Sequence, residues 1–267
     1  MPTALILKAL IALLPVIGLI IVLHRLDSQR LLGTPFIVFM YLAGGAIAMV
    51  CYFVNAFALQ SFATDFGFYT RYIGPLVEET LKASVIVYLF RSNRVGFLID
   101  AGILGFTVGA GFSFIENLYY LNAAHDAHYG VWVVRGFGTA IMHGGATALF
   151  AIIAQTLTER HLNTNPLLYL PGLIVAFLLH SVFNHFPISP ILSTAVTLAI
   201  LADMQSKLSG PAAQEMVRYF CLHTELVLNA ESALRPQLQF TAKDMWEIHL
   251  LEHEAHSLHH PQPHRQT

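Results

Sequence analysis

Charged residues are scarce in this chain. Of its 267 residues only 11% are Asp, Glu, Lys or Arg, while 55% are hydrophobic, and the mean hydropathy is +0.60. Soluble domains carry about 25% charged residues, so the shortage excludes an ordinary soluble fold and assigns the chain to the integral membrane proteins. A basic field is also missing, since 14 Lys and Arg stand against 16 Asp and Glu. With no Walker A loop and no strand-linked G-x-G-x-x-G, nucleic acid is not an expected partner. Cysteine is nearly absent: Cys51 lies in an apolar run and Cys221 in a polar one, which supports neither a disulfide framework nor a thiolate metal site. Any metal must then be held by His and carboxylates, and no H-E-x-x-H motif offers the familiar way of doing so. Internal repeats are lacking too, and low complexity is confined to a His-rich tail.

What the chain has in abundance is long apolar runs. A membrane span needs roughly 20 residues, and runs of that order cover Thr3 to Leu23, Pro35 to Leu59, Tyr72 to Phe90, Phe97 to Leu121, Val131 to Leu157, Leu167 to Phe186 and Ile188 to Met204. The expected fold is all-α: a polytopic bundle of about seven transmembrane helices over residues 1–204. The first run has no basic stretch before it and no A-x-A-like site after it, so it reads as a retained anchor rather than a signal peptide. Beyond residue 205 polar residues rise, and Pro211 and Pro236 punctuate two amphipathic patterns, Ala212 to Ala233 and Phe240 to Leu258. Residues 205–267 are expected to form a small helical appendage. Arg25, Arg30, Arg91, Arg94, Arg160, Lys207 and Arg218 fall in alternate connections, with Arg71 the exception. By the positive-inside rule the N-terminus is outside and the appendage cytoplasmic.

Against this apolar background a few ionisable residues stand out. The third run, GPLVEETLKASVIVYLF, carries Glu78, Glu79 and Lys82, although each such residue at the bilayer centre costs about 2.5–3.5 kcal/mol on insertion scales. Both carboxylates lie within a helical turn of Lys82, and Pro75 suits the first turn of the helix that bears them. An ion pair that merely eases insertion is the plain explanation. The fourth run adds Glu116 and Asn117 beyond Gly102, Gly105 and Gly109, small residues that allow close helix approach. No basic residue lies within a turn of Glu116, so its partner must come from another helix, from water or from a proton. The fifth run contributes Arg135 near its start and His143 beside Gly144 and Gly145, and the sixth carries His180 and Asn184 one turn apart on one face.

Depth ties these residues together. Counting along helices that alternate in direction, Glu78 and Glu79 lie about six or seven residues from the outer end of their span, Glu116 about five, His180 about six and His143 about 12. The first four share a level in the outer half of the bilayer, and His143 fits the floor of the same cavity. Peptide hydrolysis needs an activated water, a proton donor for the leaving amine and donors aimed at an oxyanion. Carboxylates and imidazoles can supply these directly, or can hold a divalent metal that does so.

E-E-x-x-K at Glu78 to Lys82, G-F-x-x-x-E-N at Gly111 to Asn117, the Gly-flanked His143 and H-x-x-x-N at His180 to Asn184 together resemble the PrsW family of intramembrane proteases, and more broadly the CAAX prenyl protease and Abi superfamily. The likeness spans about residues 72–186, the expected catalytic core. Matched position by position, it implies Glu78 as the water-activating carboxylate, Glu116 where the wider superfamily has a His, and His180 with Asn184 as the oxyanion pair. It further implies a bacterial inner-membrane enzyme making a site-1-type cut, near the outer face, in a single-pass membrane protein such as an anti-sigma factor.

The leading expectation is thus a glutamate-type intramembrane peptidase needing no cofactor. In it Glu79 and Glu116 assist or relay protons, His143 lines the cavity, and Lys82, Asn117 and Arg135 play supporting parts. The alternative keeps the fold but uses a divalent metal such as zinc, held by Glu78, Glu116, His143 and His180. From other classes come a proton-coupled transporter, whose buried Glu and His relay protons, and a non-catalytic membrane scaffold. The tail residues His249, His253, His256 and His260 recur at helical spacing, but their setting reads as a solvated, frayed end.

Overall fold

The computed structural model describes residues 2–26, 32–62, 65–123, 127–161 and 165–185, with the single positions 197 and 199. Six long helices run through them: α1 (Pro2–Leu26), α2 (Thr34–Phe62), α3 (Gly74–Arg91), α4 (Leu98–Ala123), α5 (Ala140–His161) and α6 (Leu170–His185). No strand occurs among the described residues, as expected where lipid offers the backbone no hydrogen bonds and each span must satisfy its own.

Local chemistry explains where the helices start and stop. The Asp100 carboxylate accepts from the Phe97 N–H at 3.1 Å, the back-reaching half of a capping box at the start of α4. Asn165 accepts from the Leu167 N–H at 3.0 Å and caps the 3-10 turn Pro166–Tyr169 that leads into α6. At the end of α3, Asn93 adopts a left-handed φ of 52°. Arg94 N–H donates to Leu89 O at 3.0 Å and Asn93 N–H to Phe90 O at 3.1 Å, the paired bonds of a Schellman stop. The helices that carry the site begin differently. α3 is preceded by the π-helical segment Tyr69–Ile73 and α5 by Val134–Thr139, and such turns shift side chains away from the regular 3.6-residue register.

Among the described residues five helical stretches are long and apolar enough to cross a membrane: Thr3–Ile21, Thr34–Ser61, Leu98–Ala123, Tyr129–Glu159 and Pro166–His185. They match five of the seven runs read from the sequence. The third run is also a helix, α3, but Glu78, Glu79, Lys82 and Arg91 within 18 residues set it apart from the five in composition. The seventh run, Ile188 to Met204, lies outside the described residues apart from positions 197 and 199. The appendage beyond 205, its two amphipathic patterns and its histidines lie outside the described residues.

α4 is the central helix, packed most extensively against α5 on one side and α2 on the other. α1, α2 and α6 expose far more of their surface. Phe53 and Phe57 of α2 are 68% and 70% exposed, a degree of apolar exposure suited to lipid rather than water. Glycine sets close contacts on both sides of α4. A Cβ at Gly109 would collide with the carbonyl of His143 on α5, and one at Gly111 with the carbonyl of Tyr41 on α2, so the sequence-expected role of the small residues holds at Gly109. Gly109→Ala must push α5 away at His143. Overpacking of this kind costs about 1–3 kcal/mol, and thermal unfolding in detergent is expected to show a lower midpoint. A midpoint equal to wild type would mean that the two helices do not meet so closely.

Candidate active site

The C-terminal halves of α2, α4 and α6 and the N-terminal starts of α3 and α5 gather at one end of the bundle around a cavity of about 550 Å3, with Asn55, Tyr69, Glu78, Glu116, His143 and His180 among its walls. Alternation of helix direction brings these ends together, which is why residues far apart in sequence share a depth.

Buried charge organises the back of the cavity. Lys82 is fully buried. Its Nζ lies 2.6 Å from Glu79 Oε1, 2.9 Å from His143 Nδ1 and 4.8 Å from the centre of the Phe112 ring. An ammonium only donates, so His143 Nδ1 accepts and its Nε2–H is left to donate to Glu116 Oε2, 3.2 Å away. Glu79 Oε1 also meets His180 Nδ1 at 2.7 Å, where the imidazole N–H donates to the carboxylate. That bond fixes the His180 tautomer and leaves its Nε2 as a lone-pair donor directed toward Glu78, at 4.0 Å from Oε2. The two imidazoles stand nearly perpendicular with ring centres 4.7 Å apart.

A second cluster closes the rim. Glu116 Oε2 is 3.1 Å from Arg135 Nη2, which supplies the partner from another helix that the sequence demanded. Arg135 Nε donates to Asn117 Oδ1 at 3.2 Å, and the guanidinium lies over the Tyr120 ring, 3.6 Å from its centre. Asn117 in turn donates to Ala12 O of α1 at 3.1 Å and to Arg135 O at 3.2 Å. It pins α1, α4 and the π turn before α5 to one another. Asn117 and Arg135 thus meet the cavity through Glu116.

With Lys82 given to Glu79 and Arg135 to Glu116, Glu78 stands without a Lys or Arg partner among the described residues. Its Oε1 accepts from Asn55 Nδ2 at 3.3 Å, and its Oε2 is buried without a hydrogen-bond partner. An orphaned carboxylate oxygen in a buried site is expensive, and a cation would satisfy it. One ligand atom each from Glu78, His143 and His180 can be chosen so that all lie within 4.8 Å of one another. Two imidazoles and a carboxylate form the donor set of hydrolytic zinc sites that keep a coordination position open. The residues present therefore fit a divalent metal. Glu116, which the sequence reading put in the ligand set, falls outside this group and sits beside His143 instead.

The other residues expected at the site divide. Asn184 lines the cavity, but its Nδ2 also donates to Thr70 O at 2.9 Å. With Ser181 Oγ donating to Arg71 O at 2.7 Å, it fastens the end of α6 to the π turn before α3. Two residues at the site had escaped the sequence reading. Tyr69 OH donates to Asn55 Oδ1 at 2.9 Å, and Asn55 reaches Glu78, so α2 joins a site read from the later helices alone. A signal existed: Asn55 is the one carboxamide between Pro35 and Leu59, and a polar group in an apolar span needs a partner.

A family model described as PrsW family intramembrane metalloprotease matches residues 33–204. No curated protein matches the chain, and no solved structure does.

Proposed function

The chain belongs to the PrsW family of intramembrane metalloproteases and is accordingly a membrane hydrolase, and from that premise we propose that it cuts a peptide bond in a membrane-tethered protein, close to the membrane face toward which its cavity opens. The membership favours the hydrolase reading over the transporter and scaffold alternatives, and the metal-dependent version over the cofactor-free one. The observation that carries the proposal is the convergence of Glu78, His143 and His180, from three helices, to within 4.8 Å in the wall of a cavity.

In this reading Glu78, His143 and His180 hold a divalent metal of the zinc class. Such an ion, when bound, polarises a peptide carbonyl and makes water a nucleophile near neutral pH. The chain's own residues do the rest. Glu79 holds His180 in the tautomer that presents Nε2, and Lys82 fixes Glu79 and the His143 ring together. For His143 to offer its Nε2 lone pair, its Nε2 proton would pass to Glu116 and its Nδ1 would take one from the Lys82 ammonium, leaving Lys82 a neutral amine that accepts from Nδ1–H. Glu116, held by Arg135 but open to the cavity, then serves as the proton carrier to the leaving amine. The second N–H of the Asn184 amide is the donor assigned to the oxyanion.

By the positive-inside rule the cavity end faces outward, with the N-terminus outside and the C-terminus cytoplasmic; a bacterial inner membrane is the setting that the motif resemblance implies. A substrate there is a single-pass protein cut on its outer side, such as an anti-sigma factor. N-terminal proteomics of membrane and released fractions, comparing cells with and without the protein, should yield new termini clustered at the outer ends of single-pass proteins. Termini on the cytoplasmic side would reverse the topology, and none under rest or envelope stress would remove the protease reading.

A further inference from the structure

The first helices lie outside the motif-bearing core, yet α2 sends a polar side chain into the site. On α2, Ala48, Cys51 and Asn55 share a face. Ala48 and Cys51 pack against Phe112, and Asn55, one turn further on, meets Glu78 Oε1 at 3.3 Å. Apolar packing therefore sets the height and rotation of α2, and the carboxamide is the one group it then aims at the carboxylate. Tyr69 is 3% exposed, and its OH donates to Asn55 Oδ1 at 2.9 Å. That bond decides which way the carboxamide faces: with Oδ1 occupied by a donor, Nδ2 is the atom turned to Glu78. The segment holding Tyr69 is itself fastened, because Asn184 and Ser181 of α6 bind the carbonyls of Thr70 and Arg71.

We infer that Tyr69 and Asn55 form a relay that positions Glu78, holding Oε1 so that Oε2 is turned to the His143 and His180 imidazoles. The inference rests on the metal-site reading given above. Asn55 and Tyr69 are positioning residues: neither is itself one of the three ligands, and both act through one oxygen of Glu78. Such outer partners of a ligand typically govern about 10–100-fold in metal affinity, and since Tyr69 works only by orienting Asn55, their effects overlap rather than multiply.

The test uses the full chain purified in detergent, stripped of metal and titrated with Zn2+ against a chelating dye. Tyr69→Phe removes one hydroxyl and keeps the ring's packing, so its fold is secure even where Asn55→Ala disturbs α2. The expected result is about a tenfold or greater loss of Zn2+ affinity in Tyr69→Phe. A similar or larger loss is expected in Asn55→Ala, with the double variant no weaker than Asn55→Ala alone. Wild-type affinity in Tyr69→Phe, or losses that multiply in the double variant, would overturn the relay while leaving the metal site standing. A wild-type chain with no affinity for Zn2+ would overturn the relay and the metal-site reading together.

Discussion

Glu78→Gln abolishes proteolysis without removing the protein from the membrane: cleavage of a substrate falls by about 10^2–10^4-fold, the range over which a positioned proton-handling or activating group contributes, while abundance stays that of wild type. The substitution preserves shape and lets the new side chain still accept from the Asn55 amide through its carbonyl oxygen. It replaces the second oxygen, buried and unpartnered, by an amide nitrogen that carries no lone pair for an ion. Stability is spared because Glu78 has no Lys or Arg to orphan among the described residues, and neutralising an unpaired buried carboxylate removes a desolvation penalty. The measurement is single-turnover cleavage in detergent or liposomes, paired with zinc content by elemental analysis. Undiminished cleavage would sink any role for Glu78 in the reaction. Lost cleavage with zinc content unchanged would assign Glu78 to proton transfer, as the cofactor-free alternative had it.

Lys82→Met acts in the opposite way and damages the fold. Lys82 and Glu79 have side chains 0% and 1% exposed, so removing the ammonium strands a carboxylate in a site that water does not reach. Breaking a buried pair from one side costs about 3–5 kcal/mol, a large share of the 5–15 kcal/mol that typical domains possess. The expected outcome is a lower unfolding midpoint in detergent and reduced abundance in cells. Lys82→Met with Glu79→Gln removes both charges and should recover much of that stability, since no uncompensated charge is then left buried. Cleavage should stay low in the double variant, because His143 Nδ1 has lost its donor and His180 Nδ1 the charge of its acceptor. Full activity in the double variant would show that the pair only eases insertion of α3. Wild-type stability in the single variant would show that Lys82 is not buried against Glu79.

The sequence by itself determined the class of the protein and singled out most of the ionisable residues of the candidate site. Apolarity this high with charge this low dictates membrane helices, because lipid leaves the backbone no other partner. Side chains that are expensive in lipid persist where something engages them, so Glu78, Glu79, Lys82, Glu116, His143 and His180 could be named from their surroundings alone. Arithmetic at 1.5 Å per residue set most of them at one depth.

The tertiary structure decided who pairs with whom. Helical periodicity allows Lys82 to reach either Glu78 or Glu79. The choice of Glu79 depends on where Phe112 and His143 stand, and those positions follow from α4 and α5 closing on each other at Gly109. Arg135 meets Glu116 through a π turn that shifts it out of helical register, and no spacing rule foresees such a turn from sequence. Asn55 joins the site because α2 packs on α4 at Gly111, and Tyr69, in the π turn before α3, meets it there through its hydroxyl. A sequence fixes which face of its own helix a residue occupies, whereas the neighbour across that face is chosen by how closely the backbones can approach.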